Sequence, residues 1–340
     1  MNIYGLTLKQ LQTYFSDINE NPAKAGIIYD AVYRKGAESF NNFGFAERIV
    51  SRLKADFDFT LPEVVEKRED ETAAKLLLRL EDGEFVETVL MRQFFGNCVC
   101  VSTQVGCNMG CLFCQSGLLK KKRSLSAAEI VAQVLAISRE MNCRIDGVSV
   151  MGIGEPFDNF ENVRDFCEII TEDKGLAVPK RRVTVSTCGL VPMIYEYANL
   201  ARPCNLAISL HAPDDELRSR LMPVNRKYPI TEVLNAAQFF SEKTHHRVTL
   251  EYVMLAGVND SVEDARRLAS AIGNRDFYVN LIPYNSTDSD FRQSSTEAIS
   301  EFCAALKENG VVATKRREFG ANLNAACGQL RADYVKKAAN

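Results

Sequence analysis

Gly-Cys-Asn-Met-Gly-Cys-Leu-Phe-Cys, residues 106–114, places three cysteines in a C-x3-C-x2-C spacing. Cys107, Cys111 and Cys114 are close enough in sequence to face one inorganic centre from a single loop. Three thiolates are one fewer than the four ligands of a closed zinc or [4Fe-4S] site. The spacing therefore predicts a metal site with one corner open for a small molecule, which favours chemistry over a structural role.

From residue 98 onward, short apolar segments alternate with amphipathic ones, which predicts a parallel sheet with crossover helices. The predicted strands are 98–103, 147–151, 183–187, 205–210, 248–254 and 278–283, and the predicted helices lie near 126–141, 159–172, 190–199, 231–243, 261–272 and 295–309. Right-handed crossovers would curl six such units into a full or partial barrel, whose active site lies at the carboxyl ends of the strands. We therefore predict an α/β fold, a partial (βα)6 TIM-like barrel.

The first 95 residues have a different pattern from the rest. Helical apolar spacing recurs in 6–15, 23–33 and 45–57, and segments 75–80 and 85–92 flank the turn Glu81-Asp82-Gly83-Glu84, as in a β-hairpin. We predict a helical accessory domain over 1–60, a hairpin extension over 61–95 and a catalytic barrel over 96–340 that ends in a cysteine loop.

Composition excludes several classes of protein. The 340 residues are 46% hydrophobic and 25% charged, without the run of about 20 apolar residues that a membrane span needs. The first residues lack the basic and apolar segments of a signal peptide, so we expect a cytoplasmic protein. Eleven cysteines, an odd number, argue against a disulfide framework.

A net charge of −3 means that any nucleic acid must be bound through local basic patches. Three clusters qualify, at 120–123, 180–182 and 315–317, and Arg331, Lys336 and Lys337 follow near the end of the chain. Each cluster taken alone is more typical of a solvated loop. The first follows the cysteine loop and the third precedes Cys327, where phosphate contacts around a target base would be expected.

The cysteine spacing, with Phe113 before the third cysteine at the end of the first strand of a βα repeat, resembles the radical SAM superfamily. That resemblance implies a [4Fe-4S] cluster on Cys107, Cys111 and Cys114. It also implies S-adenosylmethionine (SAM) on the free iron, where electron transfer cleaves it to a 5′-deoxyadenosyl radical. Gly154-Glu155-Pro156 resembles the element that receives the SAM amino group.

Further segments resemble the RlmN/Cfr adenosine methyltransferases within that superfamily. They are 98–107, Ala-Ile-Ser-Leu-His-Ala-Pro at 207–213, Asn-Ala-Ala-Cys-Gly-Gln-Leu at 324–330 and Val-Glu-Thr-Val at 86–89. By this resemblance Cys327 carries a methyl group, Cys100 resolves the product through a transient disulfide with it, and Glu87 accepts a proton. The implied SAM contacts are Gly154, Glu155, Ser186, Ser209, Leu210, His211 and Asn285.

The chemistry explains why a distant cysteine is needed. Neither C2 nor C8 of adenine is a nucleophile, so the family first methylates a cysteine and then uses the radical to make that methyl group add to the base. Thiol exchange by a second cysteine then frees the product. The resemblance implies C2 methylation of an adenosine in the peptidyl-transferase centre of 23S rRNA and, in some cases, of the tRNA adenosine 3′ of the anticodon. It also implies an electron donor such as flavodoxin or ferredoxin, and we expect a monomer.

Several alternatives remain at this level. Cfr-type C8 methylation is second, because an aromatic residue, Phe319, precedes Gly320 as in that group. A radical SAM enzyme with a protein or small-molecule substrate should not need Cys327. A structural zinc site would need a fourth ligand, and no histidine follows Cys114 in finger-like spacing. We interpret five cysteines as structural: Cys143, Cys167, Cys188, Cys204 and Cys303.

Overall fold

A curved sheet of ten strands forms the centre of the protein. The computed structural model describes residues 1–41, 43–118, 120–285, 290–317, 319–320 and 330. The strands of this sheet are β1 (Glu63–Glu69), β2 (Ala73–Arg79), β3 (Phe85–Gln93), β4 (Gly96–Cys100), β7 (Gly147–Val150), β8 (Val183–Thr187), β9 (Asn205–Ser209), β10 (Val248–Met254), β11 (Phe277–Pro283) and β12 (Val312–Lys315), and they lie side by side in that order. A separate pair, β5 (Gln104–Val105) and β6 (Arg123–Ser124), flanks the cysteine loop.

Seven neighbouring strands, β4 and β7–β12, are parallel. The six predicted strands are confirmed, and β12 adds a seventh that the sequence analysis missed. Three of the four β12 residues are exposed, so it lacks the apolar run of its neighbours. β1, β2 and β3 continue the sheet as antiparallel strands. The predicted hairpin is confirmed as β2 and β3, whereas the charged strand β1 had no apolar signal.

Helices cover one side of the parallel strands. They are α4 (Ala127–Glu140), α5 (Phe160–Thr171), α6 (Val191–Ala198), α7 (Asp215–Leu221), α8 (Ile230–Thr244), α9 (Val262–Ile272) and α10 (Thr296–Glu308). Polar caps start several of them, as where Ser126 and Glu129 form a capping box on α4. All six predicted helices of this region are confirmed, and α7 is an additional short one.

The N-terminal segment forms the predicted helices α1 (Leu8–Asp17), α2 (Lys24–Tyr29) and α3 (Glu47–Asp56). Their buried residues, such as Phe15 and Leu53, belong to the same continuous apolar core as Val148 and Leu250 of the sheet. A Cβ on Gly5 would lie only 2.9 Å from that of Ala128, so this segment packs directly on α4. None of the described helices is long and apolar enough to cross a membrane.

Strand alternation gives the sheet two chemically different faces. Val185, Ile208 and Leu250 are fully buried in the apolar core. Their neighbours Ser186, Ser209 and Glu251 point to the opposite face, because successive side chains of a strand alternate. The helices therefore shield an apolar face, and the concave face of the sheet carries polar groups.

Candidate active site at the carboxyl ends of the parallel strands

The cysteine loop and the basic segment that follows it lie between β5 and β6, whose pairing holds the two ends together. Gly106 and Gly110 have φ of +82° and +67°, a left-handed conformation that glycine adopts without steric strain. Each glycine immediately precedes a cysteine of the motif, Cys107 or Cys111. The two bends let a short loop present its thiols on one side.

Part of the loop is anchored in a small apolar cluster. Met109, Cys111 and Phe113 pack against it, and Leu112 donates a backbone hydrogen bond to the carbonyl of Leu221 at 3.0 Å. The buried members of this cluster are Cys188, Ala212, Leu217, Leu221, Met222, Val253, Leu255 and Tyr284. Most of them follow the carboxyl ends of β8–β11, so the loop folds over that edge of the sheet.

The three thiols lie close enough to influence one another. Burial raises the pKa of Cys107 to about 11, and the neighbouring Cys114 acts in the same direction. Burial, then Cys114 and Cys107, raise the pKa of Cys111. The thiolate is the form that binds metal, so these sulfurs need a cationic partner to ionise. Among the described residues, no three His, Cys, Asp or Glu side chains are arranged around one mononuclear metal position.

Glu155 is the buried carboxylate of the site, with 3% of its surface exposed. One carboxylate oxygen accepts from the backbone N–H of Phe157 at 2.9 Å and the other from that of Cys188 at 2.8 Å. Burial raises the pKa of Glu155. Its own N–H donates to the side-chain oxygen of Gln104 at 3.1 Å, which ties it to β5 and the cysteine loop.

Gly154 has to be glycine in this structure. Its φ is +111°, and a Cβ would lie 2.6 Å from the Cβ of Gln104 and 2.7 Å from the Oγ1 of Thr103. Both the backbone conformation and the available space exclude a side chain. Residues 152–155 can therefore approach the β5 segment closely and hold Glu155 in place.

Three of the predicted SAM contacts meet at the ends of β8 and β9. The hydroxyl oxygens of Ser186 and Ser209 lie 3.4 Å apart. His211 adopts φ of +61°, and its Nδ1 accepts from the N–H of Val253 at 3.0 Å. Its ring contacts that of Phe113 edge to face at 4.9 Å between centroids. Burial lowers the pKa of His211 to about 3, so the imidazole is neutral at physiological pH.

Arg218 of α7 binds these segments together and was not identified from the sequence. Its side chain is fully buried. It donates to the carbonyl oxygens of Cys188 at 2.7 Å, Ser209 at 3.2 Å and Leu210 at 3.1 Å. Burial of a guanidinium requires several acceptors, which these carbonyls provide. Residues 217–222 contain two arginines, Arg218 and Arg220, and nothing in the local sequence distinguishes the buried one.

Cys100 and Glu87 lie on the neighbouring wall. Cys100 ends β4 and is 7% exposed, and its carbonyl accepts from the hydroxyl of Thr88 at 2.9 Å. The hydroxyl of Ser102 donates to the carbonyl of Glu87 at 2.7 Å and accepts from the N–H of Ile153 at 3.1 Å. One buried hydroxyl therefore links the Glu87 strand to the segment that carries Glu155.

The side chain of Glu87 is buried in an ion pair. Lys75 Nζ lies 2.9 Å from Glu87 Oε2, and the exposed fractions of the two side chains are 0% and 4%. The sequence analysis did not consider Lys75. A lysine within Ala-Ala-Lys-Leu-Leu-Leu at 73–78 is a polar interruption of an apolar strand and could have indicated this pair.

The structure thus brings together most of the predicted site residues. The cysteine loop, Gly154, Glu155, Ser186, Ser209, Leu210 and His211 share one end of the sheet, with Cys100 and Glu87 beside them. Asn285 follows the buried Tyr284, but its side chain is exposed and makes no hydrogen bond within the described part of the chain. Cys327 lies outside the described residues.

Comparisons with known proteins agree with this geometry. The family model of the radical SAM superfamily matches residues 101–269. A crystal structure of a radical SAM methyltransferase from Sphaerobacter thermophilus superposes with a TM-score of 0.89 at 38% identity, covering 97% of this chain and 98% of that one. A "probable dual-specificity RNA methyltransferase RlmN" from Shouchella clausii is 45% identical over 99% of this chain and 98% of its own length.

The chain belongs to the RlmN family of radical SAM RNA methyltransferases. A relative of the same description from Enterococcus faecalis is also 45% identical, over 99% of this chain and 97% of its own length. Membership of the RlmN family confirms the resemblance, the α/β fold of the radical SAM type and the class of enzyme. The similarity spans the whole chain, so it includes the N-terminal helices and the segment with Cys327.

Proposed function

We propose that this enzyme methylates C2 of an adenosine in the peptidyl-transferase centre of 23S rRNA and of the tRNA adenosine 3′ of the anticodon. The observation that carries the proposal is the convergence of the cysteine loop, Glu155 and the Ser186–Ser209 pair at one end of the sheet, beside Cys100. The dual-specificity description of the RlmN relatives supports the two RNA substrates.

The residues of the loop suit a [4Fe-4S] cluster. Three thiols on one bent loop, partly buried and mutually close, are the sulfur ligands that iron–sulfur clusters use. Cys107, Cys111 and Cys114 would hold the cluster, and Glu155 would receive the amino group of SAM. When bound, the cluster would supply the electron that cleaves SAM to a carbon radical, and flavodoxin or ferredoxin would supply that electron in turn.

The other residues would orient the donor and handle the product. Ser186, Ser209, Leu210 and His211 line the strand ends where SAM would lie, and the neutral His211 places no positive charge beside its sulfonium. Asn285 is proposed as a further contact on the basis of the resemblance.

Cys327 would carry the methyl group, and Cys100 would attack the sulfur of Cys327 to release the methylated base. The proton that leaves the adenine carbon would go to Glu87, which is held beside Lys75. In this proposal residues 1–60 contact RNA as an accessory domain, and the enzyme acts as a monomer.

Replacing Cys327 by Ala tests this assignment. We expect loss of methyl transfer with unchanged iron and sulfide content, because Cys327 would accept a methyl group and bind no iron. The matched control is Cys303→Ala on α10, which should retain methylation. Loss of the cluster in Cys327→Ala would refute the proposed role, and full activity would refute the S-methylcysteine route.

Replacing Cys100 by Ala tests the resolving step. Without the attacking thiol, the covalent link between protein and RNA should persist, so denaturing gels should show a slow-migrating species. Ribonuclease should shorten it to protein that still carries the linked nucleotide, detectable as added mass. RNA-free protein after turnover would contradict a resolving role for Cys100.

A further inference from the structure

A cavity of about 650 Å³ lies on the face of the sheet that carries Ser149, Thr184 and Glu251, near the site already described. The strand residues that line it include Cys98, Ser149, Thr184, Glu251, Asn280 and Thr314. Cys98 and Thr184 precede Cys100 and Ser186 by two positions on the same strands. They therefore lie on the same face, about 7 Å nearer the amino ends of the strands. The cavity thus leads from the amino-end side of the sheet toward Cys100.

Two of the basic clusters in the sequence meet at this cavity. Arg181 and Arg182 line it together with Lys315, Arg316 and Arg317, although the two segments are more than 130 residues apart in sequence. Within the described ranges, no carboxylate forms an ion pair with any of the five.

The basic cluster after the cysteine loop is different. Lys121 pairs with Asp158 at 2.7 Å, Lys122 with Glu84 at 2.6 Å and Arg123 with Asp82 at 2.6 Å. Its charges are largely compensated by ion pairs within the protein, whereas the five basic side chains around the cavity lie outside ion-pairing distance of every described carboxylate.

The only carboxylate that the described residues place in the cavity lining is Glu251. It is 5% exposed and accepts a hydrogen bond from Asn280 at 2.8 Å. Burial raises its pKa, whereas the charge of Arg316 acts in the opposite direction. Five basic side chains face one carboxylate, Glu251, which only Arg316 approaches electrostatically. This excess of positive charge around one opening is suited to several negative charges at once, as in a stretch of phosphodiester backbone.

Aromatic rings accompany the basic side chains. The guanidinium of Arg182 lies 5.1 Å from the ring centroid of Phe95, and that of Arg317 lies 5.3 Å from that of Phe319. Phe94, in the turn between β3 and β4, is 92% exposed. Single-stranded nucleic acid is commonly held by aromatic faces and arginines next to a basic groove.

We propose that the target nucleotide of a single-stranded RNA segment enters the enzyme through this cavity. The phosphates on either side of it are bound by Arg181, Arg182, Lys315, Arg316 and Arg317, and a neighbouring base stacks on Phe94. The inference rests on the proposed function, because a base must leave its stack to reach a buried reactive centre. The cavity falls within the range of about 300–1,000 Å³ that small-molecule sites occupy, which is appropriate for one nucleoside.

Two double variants test the route, R181Q/R182Q and K315Q/R317Q. The control is R266Q/K307Q, which removes the same charge from exposed positions on α9 and α10. Binding of a fluorescently labelled 23S rRNA fragment is measured by anisotropy over a range of salt concentrations. Each lost single-strand contact should lower the slope of log affinity against log salt by about 0.7, so each test variant should lose about 1.4. We expect each test variant to bind RNA about tenfold more weakly near 150 mM salt. The affinity of the control should stay within about twofold of that of the original protein.

Methylation of the same fragment at saturating RNA separates the possible failures. Normal binding and methylation by the original protein, with test variants indistinguishable from the control, would overturn the entry route alone. An original protein that neither binds nor methylates RNA would overturn the proposed function and the route with it. If the variants bind RNA normally but are no longer reduced by flavodoxin, the basic surface binds an acidic electron donor instead of RNA, and the proposal is overturned. A Phe94→Ser variant should weaken binding with an unchanged salt slope, because it removes stacking and no charge.

Discussion

Replacing Lys75 by Met tests whether its ion pair with Glu87 stabilises the wall of the site. The two charged atoms lie 2.9 Å apart, and their side chains are 0% and 4% exposed. Removing one partner of a buried pair leaves a charge in a poorly solvated place and typically costs about 3–5 kcal/mol. We expect a loss of this size in the free energy of unfolding of K75M, measured by urea denaturation followed by circular dichroism.

The matched control is Lys67→Met on the neighbouring strand β1. Lys67 lies 3.3 Å from Glu69, but both side chains are more than a third exposed, and such pairs contribute about 0.2–1 kcal/mol. In a double-mutant cycle, K75M combined with Glu87→Gln should be at least about 2 kcal/mol more stable than the sum of the single changes predicts. A loss no larger than that of the control, with a coupling below about 0.5 kcal/mol, would refute the reasoning.

Two further predictions concern the segments around the SAM-contact residues. Gly154→Ala should weaken SAM binding at least about tenfold in equilibrium dialysis, because the new Cβ meets Gln104 at 2.6 Å and displaces the following glutamate. The control is Gly310→Ala, at a position with φ of +79° and open space around it. This control variant should show the backbone strain alone and retain SAM affinity. His211→Asn should lessen the acid sensitivity of cluster-free protein. The pKa of His211 in the folded state is lowered to about 3, so below pH ~6.5 the unfolded chain binds a proton that the folded protein does not. The free energy of unfolding of the original protein therefore falls as pH falls, by up to about 1.4 kcal/mol per pH unit. Equal slopes of unfolding free energy against pH for His211→Asn and the original protein between about pH 6 and 4 would contradict that account.

The local pattern of apolar and polar residues was sufficient to predict much of the fold and of the candidate site. Strands such as Val183–Thr187 and Val248–Met254 match their predicted bounds, because short segments rich in β-branched and apolar residues, with polar residues at alternate positions, are typical of strands. The residues after them were correctly expected at one edge, since the carboxyl ends of parallel strands meet there.

The features that the sequence did not reveal depend on register or on distant packing. Lys75 lies opposite Val89 and Glu87 lies opposite Leu77, so their contact is diagonal and requires the hairpin register. Arg218 acts through carbonyls of two separate segments, at Cys188 and at Ser209–Leu210, which no local pattern encodes. The meeting of the 181–182 and 315–317 clusters requires the order of the whole sheet, and each cluster alone is typical of a solvated loop.

The difference in pairing among the basic clusters changes the expectation for RNA contacts. The cluster after the cysteine loop was expected to face phosphates because of its position in the sequence. In the structure, carboxylates of the protein form ion pairs with Lys121, Lys122 and Arg123. Position along the chain could not predict this, because Asp82 and Glu84 come from the hairpin turn some 40 residues earlier.

Nucleoside mass spectrometry of RNA after an anaerobic reaction tests the central claim most directly. Reduced protein is incubated with SAM and a 23S rRNA fragment from the peptidyl-transferase centre, and the digest is compared with 2-methyladenosine and 8-methyladenosine standards. The account predicts 2-methyladenosine that depends on SAM, on reductant and on Cys327. Formation of 8-methyladenosine, or of no methylated adenosine by protein that carries an intact cluster, would contradict it.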